Sequence, residues 1–283
     1  MEMRGKQGQA GRNRKGFTAT LSTLLLLSSV VLLLMLILQV EGRADKENLD
    51  IARLGIINSI DTNIGGMARE VYSQSGFVIA GAGGEVNISE DRSASGKLSQ
   101  NLGALEAWWD ASRSANITLE IPNDAKTPLF WIMPQNISVE IKPGKTTVLP
   151  QDAPESAGQV EAYSVYEITT CANLSAQWNN LSLGSGPGAV NFTINFTCSN
   201  YTYNDFRQLN KYGYSELVLQ ENAFTPLLTV RVYSPAKMEL EKNKPPTYLN
   251  LAVEVNGSAR VEMPGVLNIS IGEARRDGRV VVG

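Results

Sequence analysis

The chain has 283 residues, a net charge of −3, 43% hydrophobic and 19% charged residues, two cysteines and no histidine. Its length leaves about 240 residues beyond a single apolar segment, enough for one large β domain with a real core or for two smaller ones. The missing histidine removes the commonest general base and transition-metal ligand near neutral pH, which weighs against Ser–His–Asp hydrolases and metalloenzymes.

Charge is unevenly placed along the chain. In residues 1–16, Arg4, Lys6, Arg12, Arg14 and Lys15 against Glu2 give +4, which leaves −7 for the remainder. That acidic remainder forms no basic stripe, so no nucleic-acid partner is expected. Residues 17–40 carry no charge. As a helix they span about 36 Å, long enough to cross a bilayer core and meet membrane lipid. Basic residues beside a membrane segment stay cytoplasmic, so residues 1–16 read as a cytoplasmic leader and everything after about residue 41 as extracytoplasmic.

Three readings of this leader stay open. A secretory signal would be cut near Gly42-Arg43-Ala44, although its apolar region is longer than such signals need. An uncleaved signal anchor accounts for both length and charge. The third rests on Arg14-Lys15-Gly16-Phe17-Thr18, a basic leader ending in Gly and followed by Phe-Thr and a long apolar helix. This resembles the processing site of type IV pilin precursors and their archaeal relatives. The resemblance implies a cut between Gly16 and Phe17, a membrane-anchored surface protein, and helix–helix self-association or pilus-like assembly. At the fifth position after that cut, where the family usually carries Glu, this chain has Leu21, which implies a membrane-resident or minor subunit.

Residues 41–75 keep a helical period. Leu49, Ala52, Ile56, Ile60, Ile64, Met67 and Val71 recur at spacings of three and four, which predicts an amphipathic stalk with those residues on one face. Gly65-Gly66 is expected to kink or end it, since each Gly costs about 1 kcal/mol in a helix interior.

From Gly76 the period changes to two. Phe77–Ile79, Glu85–Ile88, Ile117–Ile121, Leu129–Met133 and Ile137–Ile141 read as short strands, interrupted by one amphipathic helix, Leu98–Ser112, that carries Trp108 and Trp109. Residues 150–158 are polar and proline-containing and read as a linker between a first β region, 76–150, and a second, 159–283. The second region offers strands at Gln159–Cys171, Ala189–Cys198, Glu216–Gln220, Leu227–Tyr233, Tyr248–Val255, Arg260–Glu262 and Val266–Ile271. Asp277-Gly278 would be a tight turn into a last strand, Val280–Val282. The fold class is therefore mainly β: a transmembrane helix, a helical stalk and a β-sandwich with one short helix, in which 76–283 form one sandwich or two.

Cys171 and Cys198 both fall beyond the apolar run and read as one disulfide, closing a loop that would stabilise by about 3.5 kcal/mol on the chain-entropy account. Sequons for N-glycosylation begin at Asn87, Asn116, Asn136, Asn173, Asn180, Asn191, Asn195, Asn200, Asn256 and Asn268, again all beyond it. No nucleophile elbow, phosphate loop, zinc helix or calcium loop occurs. A Glu/Asp pair of the glycosidase kind is not legible from spacing alone. The reading is of a non-enzymatic surface protein, structural or adhesive, with no cofactor. The alternative is a tethered binding module for a glycan or an envelope partner, and behind it a tethered hydrolase.

Overall fold

The computed structural model of the protein describes residues 28, 31, 46–91, 98–111, 117–121, 128–142, 144–152, 155–222, 225–244, 246–271 and 273–283. Gly16, Phe17, Asn116, the side chain of Trp109 and, apart from residues 28 and 31, the run 17–40 lie outside them. Among the described residues no helix is long and apolar enough to cross a membrane.

Helix α1 (Lys46–Gln74) runs through Gly65-Gly66 without ending. It stops where Gly76, at φ 85°, supplies the left-handed residue that closes a helix C-terminus. Its buried face is Ile57, Ile60, Ile64, Ala68 and Tyr72. The expected stripe shares only Ile60 and Ile64 with that face, and Ile56, Met67 and Val71 flank it half-buried. The reason is steric: Gly65 and Ala68 bring the helix axis close to the C-terminal strand. A Cβ on Gly65 would stand 2.3 Å from the carbonyl oxygen of Val281. Arg69 Nε donates to the Val282 carbonyl at 2.7 Å, and Arg276 pairs with Asp61 at 2.7 Å. The contact therefore turns toward small residues, which apolar periodicity does not weigh.

Two sheets make the rest. A six-stranded sheet has the order β1 (Phe77–Ala82), β2 (Glu85–Asp91), β14 (Tyr248–Val255), β7 (Val160–Thr169), β9 (Ala189–Cys198), β10 (Tyr201–Asn210). A ten-stranded sheet runs β16 (Ala274–Val281), β15 (Arg260–Ile271), β4 (Leu129–Met133), β5 (Ile137–Lys142), β6 (Lys145–Pro150), β13 (Lys237–Lys242), β12 (Thr225–Tyr233), β11 (Tyr214–Asn222), β8 (Ser175–Asn180), with β3 (Ile117–Glu120) also pairing β15. Pairing is antiparallel except between β7 and β9. Strands on either side of residues 150–158 meet in both sheets, β2 with β14 and β6 with β13.

Several local expectations are corrected. Pro150 belongs to β6, and a short helix, α3 (Glu155–Gln159), occupies part of the expected linker; α2 (Leu98–Ala111) is the amphipathic helix expected at Leu98–Ser112, with Leu98, Leu102 and Leu105 buried. Asp277-Gly278 is no turn. It lies inside β16, opposite Asn268 and Leu267 of β15. The stretches Arg260–Glu262 and Val266–Ile271 are one strand, irregular between Met263 and Val266 where Pro264 and Gly265 interrupt the ladder. Strands β6, β8, β10 and β13 carry no expectation from the sequence.

Alternating residues of the two sheets interdigitate in one apolar core, with Tyr163, Val165, Phe192, Ile194 and Phe196 on one side and Phe130, Val139, Val148, Val230 and Leu240 among those on the other. Tyr163 OH donates to the carbonyl of Ala236 in the β12–β13 turn, which ties the sheets together inside the core.

The outer face of the larger sheet is a ladder of charges. Glu216 of β11 accepts from Asn179 at 2.9 Å, from Arg231 at 2.8 Å and from Tyr214 at 2.8 Å, and Arg231 reaches on to Glu241 at 2.7 Å. These donors, Asn179 first, hold the Glu216 carboxyl down at about 2, against an ordinary value of 4.5. A depressed folded pKa contributes stability above the unfolded value that is lost as pH falls through the folded one. The protein is therefore expected to weaken between pH 4.5 and about 2. In Glu216→Gln this part of the acid limb should flatten when urea midpoints are measured against pH.

Candidate functional site

Each site residue expected from the sequence has a definite place where it is described. Cys171 and Cys198 are bonded. The bond sits at the ends of the parallel neighbours β7 and β9, where Thr169 pairs with Cys198. Between the two cysteines the chain leaves the small sheet, forms β8 at the edge of the large one, and returns.

Asn173, Asn180, Asn191, Asn195, Asn200 and Asn256 are exposed. The first five gather around β8 and β10, the end strands of their sheets. Asn191 and Asn195 point outward from β9, and Asn200 sits in the β9–β10 turn. Asn87, Asn136 and Asn268 are half-buried, and their amides already donate, to Glu85 at 2.9 Å, to Asp152, and to Thr118 at 3.4 Å respectively. The exposed set is thus the accessible one.

Among the described residues the tryptophans do not form a stacking platform. Trp108, Trp131 and Trp178 are half-buried; Trp131 lies under the Arg279 guanidinium at 4.2 Å. Trp178 of β8 donates to Asp205 of β10 at 2.9 Å, and Asp205 also accepts from Tyr203 at 2.9 Å and Arg207 at 3.1 Å. Burial raises the Asp205 carboxyl, but these three donors together hold it below its ordinary range. The cluster closes the open side of the sandwich between the two end strands.

Among the described residues, one hollow with a buried cation was not singled out by the sequence. It opens beside α3 and is bordered by Gly158, Glu161, Pro187, Asn191, Gln208 and Asn256, with Lys211 in its wall. Lys211 follows β10 and is locked by its backbone, whose N–H donates to Gly188 at 2.9 Å and whose carbonyl accepts from Ala236 at 2.7 Å. Only 4% of the residue is exposed, and Nζ donates to the Gly158 carbonyl at 3.2 Å. Burial pushes the ammonium below the ordinary lysine range, with Glu161 opposing that shift. A second hollow on the other side of α3 shares Asn256 and is lined by Gln135, Asn136, Asp152, Glu155 and Ser258. Gln135 Nε2 holds its rim by donating to the carbonyls of Asn256 at 3.0 Å and Ser258 at 3.2 Å.

This arrangement offers hydrogen-bond donors, acceptors and one cation to a polar ligand, the chemistry that sugar hydroxyls and carboxylates require. Among the described residues no group of three His, Cys, Asp or Glu could hold a metal ion. A sequence signal for the hollow hardly exists, because Lys211, Gly158 and Asn256 are far apart along the chain and meet only where β7, β10 and β14 end. Compared with protein-family models, with curated proteins and with solved structures, the chain matches none.

Proposed function

We propose that this is a membrane-tethered, extracytoplasmic structural or adhesive protein of pilin-like architecture, in which residues 17–40 anchor a glycosylated β-sandwich through α1. The observation that carries the reading is an exposed apolar pair on α1. Ile51 and Leu54 are 69% and 57% exposed on the turns just before the buried Ile57. Apolar residues on a helix that follows an uncharged run by only a few positions suit packing against lipid or neighbouring helices. The disulfide and the exposed sequons at the end strands suit an oxidising, extracytoplasmic setting, and glycans there would shield strand edges from pairing with other chains.

Mass spectrometry of the mature amino terminus tests the reading. Phe17 as first residue is expected; an intact Met1, or a start near Asp45, would overturn the pilin-like part. The runner-up, a tethered module that binds glycans or an envelope partner, is favoured by one observation, the buried Lys211 in a hollow that also presents the polar side chains of Glu161, Asn191, Gln208 and Asn256.

A further inference from the structure

The sandwich interior holds three ionisable side chains that surface display does not use. Glu90 of β2 and Glu167 of β7 are 5% and 1% exposed. Lys242, the last residue of β13 in the facing sheet, is 5% exposed and its side chain is fully covered. Glu90 and Glu167 both stand opposite Leu249 of β14, so they share the inner face of the small sheet, one on each side of that strand. Lys242 Nζ crosses between the sheets to lie 3.7 Å from Glu90 Oε2. The register partners are apolar: Leu249 beside both acids, Phe196 beside Glu167 and Leu228 beside Lys242.

Taking an ammonium and a carboxylate out of water is costly even when they are paired. A proton passed from the Lys242 ammonium to the Glu90 carboxylate 3.7 Å away gives the neutral amine and the neutral acid, the species that condense. The polar groups are also held by strands of opposite sheets, so the reaction partners are positioned by the fold itself.

We propose that Lys242 and Glu90 become joined by an amide bond that bolts the two sheets together, with Glu167 as the proton carrier. The Nζ lone pair of neutral Lys242 adds to Cδ of protonated Glu90 and a C–N bond forms. Glu167 takes a proton from the nitrogen and returns one to the departing hydroxyl, the C–O bond breaks, and water leaves. An ammonium and a carboxylate are thereby replaced by one amide and one water, with no change in oxidation state and no added reactant. Asn243, next to Lys242, is exposed, so the released water has a short way out. The disulfide joins neighbours within one sheet, whereas this bond would join the two layers. It does not depend on how the amino terminus is processed.

Peptide mapping of the full chain, denatured, stripped of N-glycans and digested with trypsin, is the test. A branched peptide is expected that joins residues 70–92 to residues 238–260, uncut after Lys242 and lighter than the two together by one water. Two linear peptides with cleavage after Lys242 would overturn the proposal, and a branch located at Glu167 would overturn its assignment to Glu90. In Glu167→Gln the bond should form about 100-fold more slowly, the usual contribution of a positioned proton carrier; a branched peptide formed at the wild-type rate would remove Glu167 from the step. The wild-type map is decisive by itself should that variant fail to fold.

Discussion

Replacing Gly65 by valine should destabilise the protein by about 3 kcal/mol, the upper range for overpacking, because the contact is with backbone and cannot yield by a rotamer change. The Cβ would meet the Val281 carbonyl oxygen at 2.3 Å. The strand cannot step back either: Arg69 holds Val282, and the Val261 carbonyl accepts from Val282 at 2.7 Å and from Gly283 at 3.3 Å while its N–H donates to Gly283 at 2.8 Å. The alternative to strain is that α1 lifts off, exposing Ile57, Ile60, Ile64 and Tyr72, each worth about 1.5–3 kcal/mol when buried. Gly66, one residue on, is exposed with nothing within 4 Å of its would-be Cβ. Gly66→Ala should therefore stabilise by up to about 1 kcal/mol through helix propensity alone. Urea midpoints of the two variants should move in opposite directions, with the α1 region of the valine variant opening to limited proteolysis. Equal shifts in the same direction would contradict the docking geometry.

Removing the disulfide should cost about 3.5 kcal/mol on the chain-entropy account. The variant Cys171→Ser with Cys198→Ala suits the site, since Cys198 is fully buried and tolerates no new hydroxyl, while Cys171 is half-buried. The closed loop separates its cysteines by 27 positions and contains β8, the edge strand of the large sheet. Strand β8 has exposed residues on both faces except at Trp178, so little burial holds it once the loop is open. Its remaining ties include the ladder to β11, the Asn179 amide donating to Glu216 and the bond from Trp178 to Asp205. Hydrogen exchange should accordingly rise first in Ser175–Asn180, ahead of the rest of the sheet. Uniform loss of protection over all strands would mean that the disulfide stabilises the sandwich globally and not through this crossover.

How much of this was legible beforehand depended on burial. Strands β2, β9 and β14 bury every second residue, so their alternation announces them. Strands β8 and β10 are end strands with polar residues on both faces, and nothing in SAQWNN or YTYNDFRQLN selects a period. Strand β13, KMELEK, does alternate, but its third inward position is Lys242, which breaks the pattern because its partner Glu90 comes from another sheet. The Asp277-Gly278 pair looked like a turn by local chemistry. Pairing with β15 overrode it, since eight ladder pairs outweigh one dipeptide preference.

By itself the sequence determined what is local: a mainly β chain, an amphipathic helix ahead of it, two cysteines placed to pair, and an uncharged run separating a basic leader from a sequon-rich remainder. Only the tertiary structure decided which face of α1 is buried, that strands on both sides of residues 150–158 share two sheets, that Lys211 lines a hollow, and that Lys242 reaches Glu90 of the facing sheet. The physical reason is range. Periodicity, turn chemistry and charge act between residues a few positions apart, whereas close approach at a glycine, ion pairing in a core and the walls of a hollow depend on residues brought together from distant strands.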